Sequence, residues 1–259
     1  ADQPTVRKAC REAVRQYVAE ELGGLENKTA RFQYLFRRLV RAVEQILDNV
    51  IEELRVSDFA PIDYELDFSR SGDLPPVQCE DGDVSVSLSG KVDRVDGYIK
   101  NGRLYLRVMD YKSGKKSFSL SDIWYGLNMQ LIIYLYALQQ GGLGRYRARL
   151  TAELNEIVPA GVLYVPVRDE LPDAARDTDE EGLRILRDKA LRRSGLLSDD
   201  MSLLEAMEHG LEGDGRFIPV SIKTRKGEDE PTLAAKSAVA DLAKFGRLAR
   251  YTQKKLLEM

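Results

Sequence analysis

The sequence predicts an α/β fold: a mixed central β-sheet flanked by helices, with added helices on its N- and C-terminal sides. Three observations predict it. Two stretches of helical apolar spacing open the chain, period-2 segments with a hairpin turn follow, and an apolar helix then leads into a continuous apolar strand. A single domain over residues 1–259 is expected, with a helical part at 1–58, a core at 59–168 and a mainly helical part at 169–259.

Residues 5–22 and 28–56 place apolar side chains at helical spacing, Phe32, Leu35, Phe36, Leu39 and Val43 among them, and Gly23-Gly24 separates the two helices. Tyr64, Leu66 and Phe68 then alternate with Asp63, Glu65 and Asp67, the pattern of a half-buried strand, which a Gly/Pro/Asp-rich loop at 70–83 ends. Residues 84–111 read as a hairpin around Asn101-Gly102, the strongest short-range signal for a type I′ turn, because both central positions need φ > 0. Val95 and Ile99 face Val108 and Leu104 on one side of it. Val84, Val86, Leu88 and Val92 are expected to fill the other, so that helices cover both faces. Ser119 or Ser121 can cap a helix running to about Gln140, apolar almost all round and therefore buried on the sheet. Gly161 to Val167 is an apolar run suited to a central strand. Charged helices at about 178–194 and 199–209, a polar connector with Gly213, Gly215 and Gly227, and a helix from about 231 to 257 complete the chain.

A net charge of −3 argues against a general nucleic-acid coat but leaves room for a local basic groove. No apolar run approaches the roughly 18 residues that span a bilayer, and no signal-peptide pattern opens the chain, so no membrane partner and a cytoplasmic location are expected. The two cysteines, Cys10 and Cys79, form no C-x-x-C pairing and support neither a disulfide scaffold nor a zinc site. A start at Ala1 rather than Met, already on helical pattern, suggests a piece of a longer protein.

The chemistry concentrates in the hairpin. With Lys100 and Arg103 flanking its turn, pairing back along the arms sets Asp93 directly opposite Asp110. Like charges so placed repel, and a divalent cation between them relieves the repulsion. Hard oxygen ligands suit Mg²⁺ or Mn²⁺. Lys112, two residues past Asp110, projects from the same face, where a point-charge donor can orient a water or contact a phosphate. The backbone carbonyl of Tyr111 is the natural further ligand. An Asp-x-Lys alone says little, since such residues usually line a solvated strand face; the register with Asp93 on an apolar face is what raises it. Glu65, on the neighbouring strand, is either a further acid of the site or a solvent-facing residue. The cationic candidates for DNA backbone are Lys115 and Lys116 after the active strand, Arg145, Arg147 and Arg149, and the basic residues of the last helix.

Gly90-Lys91-Val92-Asp93 and Asp110-Tyr111-Lys112, followed by Gln130-Leu131-Ile132-Ile133-Tyr134, Pro159-Ala160-Gly161-Val162-Leu163-Tyr164 and Ser194-Gly195-Leu196-Leu197, resemble the C-terminal nuclease domain of AddB-type helicase/deoxyribonuclease subunits. These belong to the RecB-like branch of the PD-(D/E)xK, or restriction-endonuclease-like, superfamily. The likeness covers most of the chain from about residue 60. It implies Mg²⁺-dependent, exonuclease-type cleavage of a single DNA strand during double-strand-break repair and recombination, beside an AddA-like helicase–nuclease partner.

By the resemblance Asp93 matches the Asp of a G-x-x-D motif, Asp110 and Lys112 the D-Y-K core, and Gln130 and Tyr134 a Q-x-x-x-Y motif. Being i and i+4 on one helix, the last two either contact DNA and support Lys112 or sit satisfied in a helix–sheet interface. Two departures stand out. The family's upstream histidine has no counterpart, since His209, in a late helix end, is the sole histidine, and the four cysteines of the family's iron–sulfur cluster are not in this chain. No G-x-x-x-x-G-K-[ST] loop is present, so a motor must lie elsewhere. Competing expectations are a catalytically silent DNA-binding or subunit-docking module that keeps the nuclease fold, and a restriction- or phage-type nuclease.

Overall fold

The computed structural model describes residues 3–114, 117–167, 175, 177–224 and 231–259. Two helices open it, α1 (Gln3–Glu20) and α2 (Ala30–Arg55), the second capped by Thr29, whose hydroxyl accepts from the Phe32 amide. Strands β1 (Ala60–Phe68), β2 (Val77–Asp81), β3 (Val84–Leu88), β4 (Gly90–Lys100) and β5 (Arg103–Lys112) follow. Then come α3 (Leu120–Trp124), α4 (Gln130–Gly141), α5 (Leu143–Leu150), β6 (Glu156–Pro166), α6 (Glu180–Leu191), β7 (Ser194–Ser198) and α7 (Met201–Met207). Three two-residue strands, β8 (Ile222–Lys223), β9 (Thr232–Leu233) and β10 (Val239–Ala240), precede the last helix, α8 (Leu242–Glu258).

The central sheet runs β1-β4-β5-β6-β7-β10. Its pairings are antiparallel except β5 with β6 and β7 with β10, so it is mixed, as the sequence predicts. A parallel neighbour cannot be reached by a tight turn, and the α3–α4–α5 crossover supplies the connection between β5 and β6. Helix α4 is buried on one face of the sheet with α8 beside it, over Leu66, Val92, Val95, Leu104, Leu106 and Val108. The opposite face packs Met109, Leu163, Leu197 and Phe59 against Leu204 and Met207 of α7.

Several expectations are corrected. Val84, Val86 and Leu88 do not belong to the hairpin arm: they form β3, paired with β2 in a separate two-stranded sheet, and β2 lies inside the stretch read as a loop. Val92 sits in the same core as Val95. The single helix expected to reach Gln140 is two, broken where Gly126 and Asn128 take φ of +79° and +54°. The C-terminal part contributes β7 and β10 to the central sheet, and α8 starts eleven residues later than expected, at an Asp241 cap whose carboxylate accepts from Lys244 N. Tyr64 is 62% exposed, because β1 loses its alternation at Glu65.

Candidate functional site

Asn101 and Gly102 take φ of +53° and +72°, as a type I′ turn requires, and the register runs from Lys100 with Arg103 to Arg94 with Met109. One step further lie Asp93 and Asp110. There the ladder stops, and Asp93 Oδ2 instead accepts the Tyr111 amide at 2.7 Å. In extended backbone a residue's N–H and C=O leave the same edge of the strand. The Tyr111 carbonyl therefore lies on the Asp93 side, while the Lys112 carbonyl leaves the other edge and accepts from Val167 N at 2.9 Å. Asp110 is buried at 4% exposure, and Lys112 Nζ stands 2.5 Å from its Oδ2. The result is two carboxylates, a carbonyl edge and an ammonium at the open end of one apolar sheet face.

A regular strand sends residues three apart to opposite faces, yet Val92 and Val95 share one core. Strand β4 thus departs from alternation at Asp93. Its partner β1 does so at the same level: Glu65, opposite Asp93 by the flanking pairs Tyr64 with Arg94 and Leu66 with Val92, has φ +49°. A non-glycine residue held there stores about 1–3 kcal/mol of strain. Glu65 is exposed, and among the described residues no three His, Cys, Asp or Glu side chains are grouped closely enough to hold a metal ion. A site for a cation in this chain therefore consists of two acids and backbone or water oxygen. That suits Mg²⁺, which binds through one or two carboxylates and keeps several waters. Among the described residues no bond is recorded to Asp93 Oδ1, which leaves that oxygen for a cation.

Gln130 and Tyr134 meet each other, with the amide donating to the phenol at 3.0 Å. Tyr134 stacks on Phe68 of β1, ring centroids 5.7 Å apart, and its hydroxyl lies where a side chain on Gly90 would begin. The glycine three residues before Asp93 is thus required by close approach of the tyrosine four residues after Gln130. Sequence reasoning missed Tyr164, the β6 partner of Asp110. Burial first, then the charges of Asp110 and of Asp122 on α3, push its phenol up to about 12. Lys115 and Lys116 lie outside the described residues. Arg145 and Arg149 are turned inward onto buried Asp63, and Arg147 onto the Leu154 carbonyl, so their charge serves the fold. His209 is far in sequence from the hairpin and reaches Asp58 at 3.1 Å.

The reverse face of the same two strands carries a buried ionic network that no sequence pattern announced. Arg94 grips Asp96 with two bonds of 2.6 and 2.7 Å, and Arg107 bonds both Asp96 and Glu53 of α2. Arg193 closes it on Glu53 at 2.7 Å. Burial works to raise the Glu53 carboxyl, but Arg193, Arg107 and Arg94 outweigh it and hold it down at about 2. Tyr111 joins the two faces, its amide on Asp93 and its hydroxyl 3.4 Å from Arg94 Nη1.

The family model described as PD-(D/E)XK nuclease superfamily matches residues 2–251. Similar curated proteins include the ATP-dependent helicase/deoxyribonuclease B-subunit of Ruminiclostridium cellulolyticum, 35% identical over 98% of this chain and 21% of that protein. Those of Acetivibrio thermocellus and Clostridium novyi are 34% and 33% identical over 96% and 97% of the chain. The chain spans about a fifth of the length of these relatives. Among the described residues no helix is long and apolar enough to cross a membrane.

Proposed function

The chain belongs to the PD-(D/E)XK nuclease superfamily, and on that premise we propose that it is a metal-dependent deoxyribonuclease domain acting on a single strand supplied by a helicase. The observation that carries this reading is the Asp93 carboxylate on the Tyr111 amide, which locks the acid beside the Asp110-Tyr111-Lys112 backbone. Asp93, Asp110 and the Tyr111 carbonyl would hold Mg²⁺, with Mn²⁺ as a substitute. The cation supplies charge neutralisation at the phosphate and a water of lowered pKa. Lys112, tethered to Asp110 but partly open to solvent, orients that water or the non-bridging phosphate oxygen. Gln130 and Tyr134 act at one remove, by packing the Gly90 end of β4. The chain's own two cysteines cannot supply a four-cysteine iron–sulfur cluster.

The names of the relatives support a place in a helicase–nuclease complex, with an AddA-like partner and DNA-break processing in the cytoplasm as its setting. The test is degradation of single-stranded DNA with Mg²⁺ against EDTA. Asp93→Asn, Asp110→Asn and Lys112→Ala should each lower the rate at least about a hundredfold. Rates equal to the parent's would refute the assignment and favour a silent DNA-binding module.

A further inference from the structure

Beyond the hairpin, the surface next to the site carries aromatic rings where a soluble surface rarely places them. Trp124 is 64% exposed and Tyr125 77%, at the end of α3. They are not loosely held. Trp124 lies flat on Tyr251 of α8, centroids 5.2 Å apart and planes within 6°, and the Tyr251 hydroxyl donates to the Trp124 carbonyl at 2.6 Å. One face of the indole is thereby covered and fixed, and the outer face remains open.

The position relative to the site follows from α3. Its Asp122 accepts from Asn128 at 2.7 Å and acts electrostatically on Tyr164, the strand partner of Asp110. The rings start two residues further on. Alongside, α8 brings Lys244, Arg247, Arg250, Lys254 and Lys255 against a lone acid, Glu258, with Lys255 Nζ 5.8 Å from the Tyr251 ring centre. Flat aromatic faces beside a cationic helix match single-stranded nucleic acid, whose bases stack irrespective of sequence and whose phosphates need counter-charge.

We propose that Trp124 and Tyr125, backed by Tyr251 and the basic side of α8, form a base-stacking platform that holds single-stranded DNA at the edge of the hairpin site. The direction of the strand toward Asp93 and Asp110 rests on the nuclease reading; the binding itself does not. In a duplex the base faces are already stacked, so the platform selects unpaired strands.

Trp124 is the one tryptophan of the chain, so its fluorescence reports the platform directly. The 259-residue chain, in EDTA to stop cleavage, is titrated with oligothymidylate and with a blunt duplex of equal length. Saturable quenching by the single strand is expected, weakened by salt and absent with the duplex. Tyr125→Ala should raise Kd about fivefold to a hundredfold, one stacked base, while Tyr125→Phe binds as the parent does. Circular dichroism checks that the variants fold. No quenching, equal quenching by duplex, or unchanged affinity in folded Tyr125→Ala would overturn the platform, whatever the nuclease assay gives. Quenching without any Mg²⁺-dependent cleavage would keep it and sink the nuclease reading instead.

Discussion

Glu53→Gln is the sharpest probe of how the site is supported. The substitution keeps the shape and removes one of two carboxylates that neutralise Arg94, Arg107 and Arg193 in a fully buried cluster. The arginines hold the Glu53 carboxyl at about 2 against a reference of 4.5, and at ~1.4 kcal/mol per unit this shift is worth about 3 kcal/mol of stability at neutral pH. Loss of one partner from a buried ion pair independently suggests about 3–5 kcal/mol. The expected fall in Tm is about 6–12 °C for a chain of this size. The pH dependence fixes the cause. A folded-state value below the unfolded one contributes fully above about 4.5 and is lost as pH falls through about 2, so the gap between parent and variant should close over that window. Urea unfolding at several pH values measures it. Equal stability at neutral pH, or a gap that acid leaves unchanged, would refute the reasoning.

Gly90→Ala should cost about 1–3 kcal/mol, because the new Cβ meets the Tyr134 hydroxyl, and Tyr134→Phe should recover part of it; additive costs in denaturant unfolding would discount that contact. Asp63→Ala should destabilise by about 3 kcal/mol, since it strips two arginines of a buried partner, whereas Arg149→Ala, half exposed, should cost under about 1 kcal/mol; thermal melts of both variants compare them.

The hairpin register was legible because Asn101-Gly102 fixes one turn type, and a fixed turn fixes every facing pair up to Arg94 and Met109. Alternation then told which residues share the apolar face. What alternation cannot foresee is its own interruption. Glu65 and Asp93 leave the regular pleat together, a distortion set by pairing across β1 and β4 rather than by either segment alone. The break between α3 and α4 did have a local signal, Gly126 and Asn128, both in left-handed conformation, which the unbroken apolar pattern after them obscured. β2 was hidden by flanking Gly, Pro and Asp, and β10, only two residues long, exists through its partner β7. Tyr164 needed the parallel pairing of β5 with β6, which depends on the whole crossover.

Arg94 and Asp96 lie in the very segment that predicts the site, yet charged strand residues read as a solvated face, and only α2 and Arg193 packing over them turn that face into an interior. The consequence reaches the chemistry. Three guanidiniums against two carboxylates leave a surplus positive charge buried on the reverse of β4 and β5. Little water screens it there, so its field favours negative charge on the opposite face, where Asp93, Asp110 and an incoming phosphate would otherwise repel one another. Tyr111 transmits the geometry as the network transmits the field: a phenol anchored near Arg94 fixes the ring, the ring fixes the backbone, and that backbone is what Asp93 grips.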